Sequence, residues 1–332
     1  MTYEPDLTHR RPADAGESVL VVGAYSVDLV FRELTGPVAS GSEVWAGGLG
    51  MVPGGAFTPA MGMRRLGREV VWAADFGTDV FSREVLAAAR AEGIDERGFR
   101  HHAGPVRNVT VALSQPQDRA MIAYEDPVAR RSLAELVDTF RPALLVLPFL
   151  QYGPEVGAAL DAASRHGTRV FMDCQDYAGH VGMPAVREVL EKVDVFAPNE
   201  PEALRITGAA GVREALDVLA GLVPTVVVKR GGAGAVAASG GLRVARGAPD
   251  VHVVDTTGAG DCFNAGFLHR WLDDAPLADC LAAGIACGTA SVTAPGSSAA
   301  LDANGLREWL EGRGPVADGR AYEGDVPHLT AP

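Results

Sequence analysis

Hydrophobic and polar positions alternate along most of the chain in the pattern of strands followed by helices. Short apolar runs predict strands at residues 143–147, 169–173, 193–197 and 225–229. Helical periodicity predicts helices at residues 133–139, 154–166, 184–192 and 212–222. Apolar strands that alternate with helices form a parallel sheet covered on both faces. The pattern therefore predicts an α/β fold.

The first half of the chain continues this alternation and adds a smaller β element. Its predicted elements of the main layer are strands at residues 18–23 and 69–74 and a helix at residues 80–92. Residues 109–114 and 120–124 predict a hairpin. Together, a glycine-rich segment at about residues 30–50 and this hairpin, within about residues 105–125, predict a small β lid outside the main sheet.

The chain reads as one domain between two polar ends. We expect residues 18–312 to form the domain, with a disordered tail at residues 1–17 and a loosely ordered C-terminal tail at residues 313–332. A long helix rich in small residues is predicted at residues 277–293. The polar start lacks the apolar core of a secretory signal, and no apolar run reaches the roughly 18 residues of a membrane span.

Composition narrows the possible partners and the compartment. The chain is 47% hydrophobic and 21% charged, which is ordinary for a globular protein. Its net charge of −13 argues against nucleic acid or an anionic membrane surface as a partner. The cysteines lack metal-ligand spacing and are expected to be reduced thiols of a cytoplasmic protein. They are Cys174, Cys262, Cys280 and Cys287.

The stretch with the strongest chemical signal runs from Asp255 to Asp261. A β-rich run that ends near Val254 predicts a strand, and a helix is expected to start near Asp261. The unpaired N–H groups at such a helix start favour an anion, typically a phosphate. A threonine cap is the alternative, but two glycines in a first turn each cost about 1 kcal/mol against alanine, and a cap does not require them. The candidate anion-binding residues are Gly258, Ala259 and Gly260.

An acidic side chain beside an anion site would repel the ligand unless it has chemistry to do there. Asp261 could accept a proton from an attacking hydroxyl. The sequence Asp-Thr-Thr-Gly-Ala-Gly-Asp, followed by Phe-Asn-Ala-Gly-Phe, resembles the C-terminal motif of the ribokinase-like (PfkB) carbohydrate kinases. This resemblance implies a three-layer α/β/α fold with a mostly parallel central sheet and a β lid. It also implies ATP-dependent phosphorylation of a primary hydroxyl of a small sugar.

The N-terminal half carries the expected substrate contacts. Asp28 follows the first strand in a loop-like segment, where ligands of open α/β sheets gather, and its carboxylate could accept two sugar hydroxyls. The alternative is a turn aspartate that binds local amides. Gly54 and Gly55 begin a segment similar to the N-terminal family motif. Where the family usually has a sugar-binding asparagine, this chain offers Thr58 and Pro59, so the identity of the substrate stays open.

The resemblance also assigns nucleotide and metal contacts. Asn199 and Glu202 match an Asn-x-x-Glu motif that helps to position Mg²⁺ beside ATP, although a helix cap explains them as well. The expected nucleotide contacts, which a tight hairpin would also explain, are Lys229, Gly231 and Gly234. A K⁺ site is a further possibility of the family. Its expected ligands are the Asp255 side chain and carbonyls of Thr257, Ser291, Ala294 and Gly296.

Several alternatives remain open from the sequence. A nucleoside kinase of the same fold would differ in the pocket, and a sugar- or nucleotide-binding regulator would have lost turnover. The first strand lacks a dinucleotide G-x-G-x-x-G motif, which disfavours NAD. Arg107 and Arg119 on the lid are either solvated charges or ligand contacts. In the family the lid often makes a dimer contact, so a homodimer through the lid is possible.

Overall fold

The computed structural model describes residues 18–114, 119–175 and 178–312. The strands are β1 (Val19–Val22), β2 (Tyr25–Leu34), β3 (Ala46–Gly55), β4 (Val70–Phe76), β5 (Phe99–His101), β6 (Asn108–Ser114), β7 (Arg119–Glu125), β8 (Leu144–Leu147), β9 (Arg169–Met172), β10 (Val195–Phe196), β11 (Thr225–Lys229), β12 (Ala235–Ser239) and β13 (Leu242–Arg246). The helices are α1 (Phe57–Arg65), α2 (Val80–Ala91), α3 (Leu133–Phe140), α4 (Pro154–His166), α5 (Pro184–Leu190), α6 (Glu200–Thr207), α7 (Val212–Ala220), α8 (Ala259–Trp271), α9 (Leu277–Ser291) and α10 (Ala303–Leu310). The tails predicted at residues 1–17 and 313–332 lie outside the described residues.

The main sheet has nine strands in the order β13-β12-β11-β10-β9-β8-β1-β4-β5. The seven strands from β11 to β5 pair in parallel, and β12 and β13 extend one edge antiparallel. Each face of the sheet carries its own apolar cluster beneath helices, one including α1, α8 and α9 and the other α3, α4 and α7. The predicted three-layer α/β/α fold is confirmed.

A second sheet forms the lid, in the order β3-β2-β6-β7. The β2–β3 and β6–β7 pairs are antiparallel, whereas β2 and β6 pair in parallel. Strand β2 starts at Tyr25, so Asp28 lies within a lid strand opposite Val52 and not in a loop. The expected loop was wrong because the alternation from Tyr25 to Leu34 belongs to a strand of this second sheet. The predicted turn at residues 115–118 lies outside the described residues.

The strand predicted to end near Val254 is also wrong. Residues 247–258 have no regular secondary structure, and the side chains of Val253 and Val254 are largely exposed. The backbone N–H groups of Val254 and Asp255 both donate to the carbonyl of Val292, at the end of α9. These residues therefore approach α8 along a loop that is tied to α9, because their hydrogen bonds go to a helix end and not to a neighbouring strand.

Helices α8 and α9 pack at very short range because glycines remove the side chains between them. A Cβ on Gly266 of α8 would overlap the carbonyl of Ala283 in α9, and one on Gly284 would lie 3.0 Å from the Phe263 ring. Cys280 and Cys287 are buried in this layer, as their shared helix face predicts. Among the described residues, no helix combines the length and apolar character that crossing a membrane requires.

Candidate active site

The start of α8 presents backbone donors to the carboxyl end of the main sheet. Gly258 adopts φ +73°, and the first α-helical bond of α8 runs from Cys262 N to Gly258 O. Ala259 N makes only a long bond, 3.3 Å, to Thr256 O. Within the described parts of the chain, the amides of Gly258 and Gly260 donate to no backbone carbonyl. The expected anion hole is therefore open to a ligand.

The two glycines of this turn differ in why the structure needs them. A Cβ on Gly258 would overlap Ser297 Oγ and lie 2.9 Å from Thr58 Cγ2, and the positive φ disfavours any other residue. A Cβ on Gly260 would meet only the Lys229 side chain, with Nζ at 3.5 Å. Packing alone therefore explains Gly258 and does not explain Gly260. The buried Thr58 side chain, at the position where the family asparagine is missing, lies against the anion hole.

Asp261 lies one residue beyond these amides, in the first turn of α8. The side chain keeps some accessible surface, but protein atoms surround it closely. Burial, together with the negative charges of Asp173 and Asp28, raises the pKa of Asp261 to about 7 against the opposing effect of Lys229. A carboxylate with this pKa can accept a proton near neutral pH, which suits a general base.

Two functional candidates, Asp173 and Asn264, were missed by the sequence reasoning. Lys229, at the end of β11, donates from Nζ to Asp173 Oδ2 at 2.6 Å, and Asn264 Nδ2 donates to the same oxygen at 2.6 Å. Lys229 Nζ also lies 3.4 Å from Asn264 Oδ1. Both residues carried a signal, since Asp173 is the polar last residue of a predicted apolar strand and Asn264 is a polar residue in an otherwise apolar helix segment.

Asn199 and Glu202 form a reciprocal cap at the start of α6. Glu202 N donates to Asn199 Oδ1 at 2.9 Å, and Asn199 N donates to Glu202 Oε2 at 2.8 Å. Burial raises the pKa of Glu202, and the nearby charge of Asp173 adds to the increase. A half-buried carboxylate close to a second one suits a site where a cation would balance the charge. The reciprocal cap uses one carboxylate oxygen of Glu202, Oε2.

The glycine turn after β11 connects it to β12. Gly234 has φ +85°, and a Cβ there would overlap the carbonyl of Arg246 in β13, so sheet packing requires this glycine. Gly231 has φ +55° and faces open space. Arg230 donates from Nε to Glu200 Oε2 at 2.9 Å. Gly232 faces open space like Gly231, so this turn leaves room for a ligand.

The segment before α8 is clamped to the loop after α9 by Asp255. Its Oδ1 accepts from Thr257 N at 2.9 Å and from Thr257 Oγ1 at 2.8 Å, and its Oδ2 accepts from Gly296 N at 2.9 Å. Ser297 Oγ lies 3.4 Å from the carbonyl of Thr257. The structure thus brings Asp255, Thr257 and Gly296 together. Ser291 ends α9, and Ala294 lies between it and the clamp.

The lid supplies Asp28 on the side of the cleft that faces Asp261. Asp28 Oδ1 accepts from Ser26 Oγ at 2.8 Å. A Cβ on Gly54 would lie 2.9 Å from Asp28 Oδ2, so this glycine makes room for the carboxylate. Gly55 has φ +62° and packs against the backbone of Ala24 and Ser26. The expected substrate residues therefore adjoin one another across β2 and β3.

The lid arginine that is described has a structural partner. Arg107 forms a two-pronged ion pair with Asp126 and lies over the ring of Tyr124. The side chain of Arg119 lies outside the described residues. Among the described residues, no group of three or more His, Cys, Asp or Glu side chains forms a ready metal cage.

These groups meet at one edge of the main sheet. A proton acceptor, a fixed ammonium group and open helix amides lie together at the ends of β9 and β11 and the start of α8. In chemical terms, the arrangement can hold an anionic group against the amides and the ammonium while the carboxylate takes a proton from a nearby hydroxyl.

Comparison with known proteins gives a consistent result. The model of the pfkB family of carbohydrate kinases matches residues 17–304. The ribokinase of Haemophilus influenzae is 25% identical over 262 residues, which cover 73% of this chain and 81% of the ribokinase. The cytidine kinase of Thermococcus kodakarensis is 38% identical over 103 residues, 30% of this chain, and that match spans only 37% of the cytidine kinase.

Solved structures show the same fold. The ribokinase of Arabidopsis thaliana in complex with ribose and ATP superimposes with a TM-score of 0.73 at 21% sequence identity. The match covers 89% of this chain and 99% of the plant ribokinase chain.

Proposed function

Since the chain belongs to the pfkB family of carbohydrate kinases, we propose that it transfers the terminal phosphoryl group of ATP to a primary hydroxyl of a small sugar. One observation carries this proposal. Asp261, whose pKa is raised to about 7, comes directly after the open amides of α8 in the chain and lies beside the ammonium of Lys229. A proton acceptor and anion-binding groups are the two things that phosphoryl transfer to an alcohol requires.

In this proposal Asp261 orients the sugar hydroxyl and accepts its proton late in the transfer. A sugar hydroxyl is a very weak acid, so its full deprotonation before attack would be costly. Most of the rate must then come from positioning and from neutralising the charge on the phosphoryl oxygens. The amides of Gly258, Ala259 and Gly260 would do this, and Lys229 would add a full positive charge.

The residues present fit ATP with Mg²⁺. The open amides of α8, the ammonium of Lys229 and the free space at Gly231 suit the phosphates. Asn199 and Glu202 would hold the metal through waters, because one Glu202 oxygen is left over by the cap. When bound, Mg²⁺ supplies charge neutralisation on the phosphate oxygens. The need for ATP and the buried free thiols also support a cytoplasmic location.

We also propose a K⁺ site behind the anion hole. Thr257 and Gly296 already donate hydrogen bonds to Asp255, and Ser291 and Ala294 precede Gly296 along the chain. Asp255 and the four carbonyls would hold the ion and its charge would act on the first turn of α8. Replacing KCl by choline chloride should then lower the rate of ADP release, and unchanged release would exclude a need for the ion.

Asp28, with Gly54 and Gly55 beside it, is proposed to bind the sugar hydroxyls next to the reacting one. Its charge acts on Asp261, which supports their facing the same ligand. A nucleoside kinase is the second candidate, favoured by the 38% identity with the cytidine kinase. The missing family asparagine near Thr58 leaves room for either substrate.

The test is ADP release from purified protein with ATP, Mg²⁺ and a panel of ribose, fructose, related sugars, adenosine and cytidine. Asp261→Asn should lower kcat by about 10²–10⁴-fold, the range expected for loss of a general base. Asp75→Asn is the matched control. Asp75 lies in the parallel strand β4 and, like Asp173, pairs with a cation, which here is Arg100 and lies away from this cleft. If Asp261→Asn keeps full activity, the proposed base is wrong. If the wild type binds ATP but releases no ADP with any substrate, the regulator alternative applies.

A further inference from the structure

We infer that Asp173 and Asn264 are positioning residues, which together fix the Lys229 ammonium at the first turn of α8 so that it faces the transferring phosphoryl group. This inference rests on the proposed kinase function. It assigns a role that acts through Lys229 to Asp173, which lies outside the recognised motifs, and to Asn264, a residue of the C-terminal motif for which no contact was predicted.

Asp173 is buried, and protein donors bind both of its carboxylate oxygens. Its Oδ1 accepts from Cys174 N at 2.7 Å, and its Oδ2 accepts from both Lys229 and Asn264 at 2.6 Å. Only 3% of its side-chain surface is accessible. A buried carboxylate that is bound on both oxygens is a fixed anchor.

This anchor determines where the ammonium lies. Lysine has a flexible four-carbon side chain, and an unrestrained one would sample many positions. Here Nζ is held by Asp173 Oδ2 and lies 3.4 Å from Asn264 Oδ1. Since Asn264 donates to Asp173 with its amide nitrogen, its oxygen is turned toward the ammonium. The two side chains thus contact Nζ from two directions, Asp173 from the end of β9 and Asn264 from α8.

The ammonium group of Lys229 is held beside the proposed reaction site. Nζ would lie 3.5 Å from a Cβ on Gly260, beside the open amides. Lys229 also affects the pKa values of Asp261 and Glu202, both of which it lowers, so its charge is felt on the base side and on the proposed metal side. An ammonium in this position faces the phosphoryl group between them.

The buried ion pair between Asp173 and Lys229 is not explained by stability. A buried ion pair contributes little net stability, because desolvation of the charges offsets their attraction. Lys229 keeps 12% of its side-chain surface accessible, so its ammonium retains a way to reach a ligand. An ion pair of this kind, placed beside an anion hole, is better explained by positioning than by stability.

The inference is tested with a double-mutant cycle of Asp173→Asn and Lys229→Met in the kinase assay. Lys229→Met should lower kcat by about 100-fold, comparable to the loss of one oxyanion donor, with little change in the sugar KM. Asp173→Asn should lower kcat about 10- to 100-fold in the wild type, because misplacing a catalytic group by about 1 Å costs that much. In the Lys229→Met background the same change should cost less than about 3-fold, since the group that it positions is gone.

Equal losses from Asp173→Asn in both backgrounds would overturn the inference, because Asp173 would then act independently of Lys229. Asn264→Leu, which keeps the volume and removes both hydrogen bonds, must show the same dependence on Lys229. Asp75→Asn should leave kcat unchanged in either background. Thermal melts identify any variant that fails to fold, and Asn264→Leu then replaces Asp173→Asn in the cycle.

A failed kinase function is distinguishable from a failed inference. If the wild type turns over no member of the panel, the cycle is read by calorimetry with Mg²⁺ and a non-hydrolysable ATP analogue. Coupled losses of affinity would then support the positioning role without turnover, and additive losses would overturn it. If the wild type is active and the kcat losses are additive, the inference fails while the proposed function stands.

Discussion

At the scale of single residues, we expect the proposed base Asp261 to determine the pH range in which the protein acts. Burial, Asp173 and Asp28 raise its pKa to about 7, against the opposing effect of Lys229. A base must be deprotonated to accept a proton, so activity is present above this pKa and is lost as the pH falls through it. We expect kcat/KM to fall about tenfold per pH unit below about pH 7.

The same charges fix the direction of two shifts in the pH profile. Lys229→Met removes a positive charge that lowers the pKa of Asp261, so the acidic limb should move to higher pH. Asp173→Asn removes a negative charge that raises it, so the limb should move to lower pH. Profiles of kcat/KM for the free enzyme measure both. Shifts in the same direction for the two variants would mean that the limb belongs to another group.

The glycines of the anion hole allow a prediction that separates stability from function. The methyl of Gly260→Ala would meet only the Lys229 side chain, at an ordinary contact distance of 3.5 Å, so the change should raise helix stability by up to about 1 kcal/mol. The added methyl would nevertheless crowd the phosphate site, so we expect a higher melting temperature together with a weaker affinity for ATP. Calorimetry with the non-hydrolysable analogue and thermal melts measure the two effects.

Gly258→Ala provides the contrast. The alanine would have to adopt the positive φ of this position, and its methyl group would overlap Ser297 Oγ. It should destabilise the fold by at least about 1 kcal/mol and lower the activity at the same time. If Gly260→Ala bound ATP as well as the wild type, the amides of this turn would not be the phosphate site.

Residue chemistry was predictable where it followed a sequence motif and was missed where it depended on contacts between distant segments. Asp261 was singled out because an acid beside unpaired amides is unusual. Asp173 and Asn264 are 91 positions apart and meet only when β9 and α8 lie side by side. Their partner Lys229 was identified from its glycine turn, but its ion pair could not be read from spacing.

At the scale of elements, strands and helices with strong periodicity were predicted closely. Residues 154–166 and 225–229 match α4 and β11 residue for residue. The prediction failed before α8, where apolar residues 251–254 suggested a strand. Their N–H groups bind the end of α9, and the pairing partner of an apolar run cannot be read from the run itself. Strand β13, which pairs with β12 at the edge of the main sheet, was likewise missed.

The loop that replaced this strand leads to an element-scale prediction. Asp255 holds the start of α8 to the loop after α9 through hydrogen bonds donated by Thr257 and Gly296. In Asp255→Asn, one of these donors would face an amide NH₂ whichever way the side chain turns, because both carboxylate oxygens now accept. The loss of a buried acceptor costs about 1–3 kcal/mol.

We therefore expect Asp255→Asn to lower the free energy of unfolding by this amount and to lower kcat, because the anion hole would lose its fixed geometry. Denaturant unfolding and ADP release measure the two effects. Asp302→Asn is a suitable control, since Asp302 caps α10 through Gly305 N and lies outside the clamp. Normal kcat in a destabilised Asp255→Asn would show that the clamp does not shape the active site.

At the scale of the whole molecule, the two faces of the lid sheet differ. One face carries Asp28 beside the cleft, and the other carries exposed apolar side chains. Strand pairing places two apolar rows across the four strands of the outer face. The rows are Met51-Leu29-Val111-Ile122 and Leu49-Phe31-Leu113-Ala120, whereas the neighbouring Val27 is buried in the main core. Asp28 and Thr110 lie on the opposite face, which the same register turns toward the cleft.

An apolar face of this kind on a chain with a net charge of −13 predicts an interface. Leu49 and Ile122 are exposed at 61% and 66%, which is costly for large apolar side chains clustered together. We expect a second copy of the chain to cover this face, because two identical apolar faces related by a twofold axis bury each other's rows. Lid and active site would then be linked, since β2 carries Asp28 on one face and Leu29 and Phe31 on the other.

Light scattering after size-exclusion chromatography should accordingly give the mass of a dimer for the wild type. Ile122→Arg should give a monomer, because two guanidinium groups would be desolvated at the twofold interface. Leu242→Arg is the matched control, as Leu242 is similarly exposed, at 56%, on β13 of the main sheet and should leave the dimer intact. If the monomeric variant also shows a higher KM for the sugar with unchanged affinity for ATP, the interface holds the lid over the acceptor side of the cleft. A wild type that is monomeric at every concentration would instead leave the apolar rows without the partner predicted here.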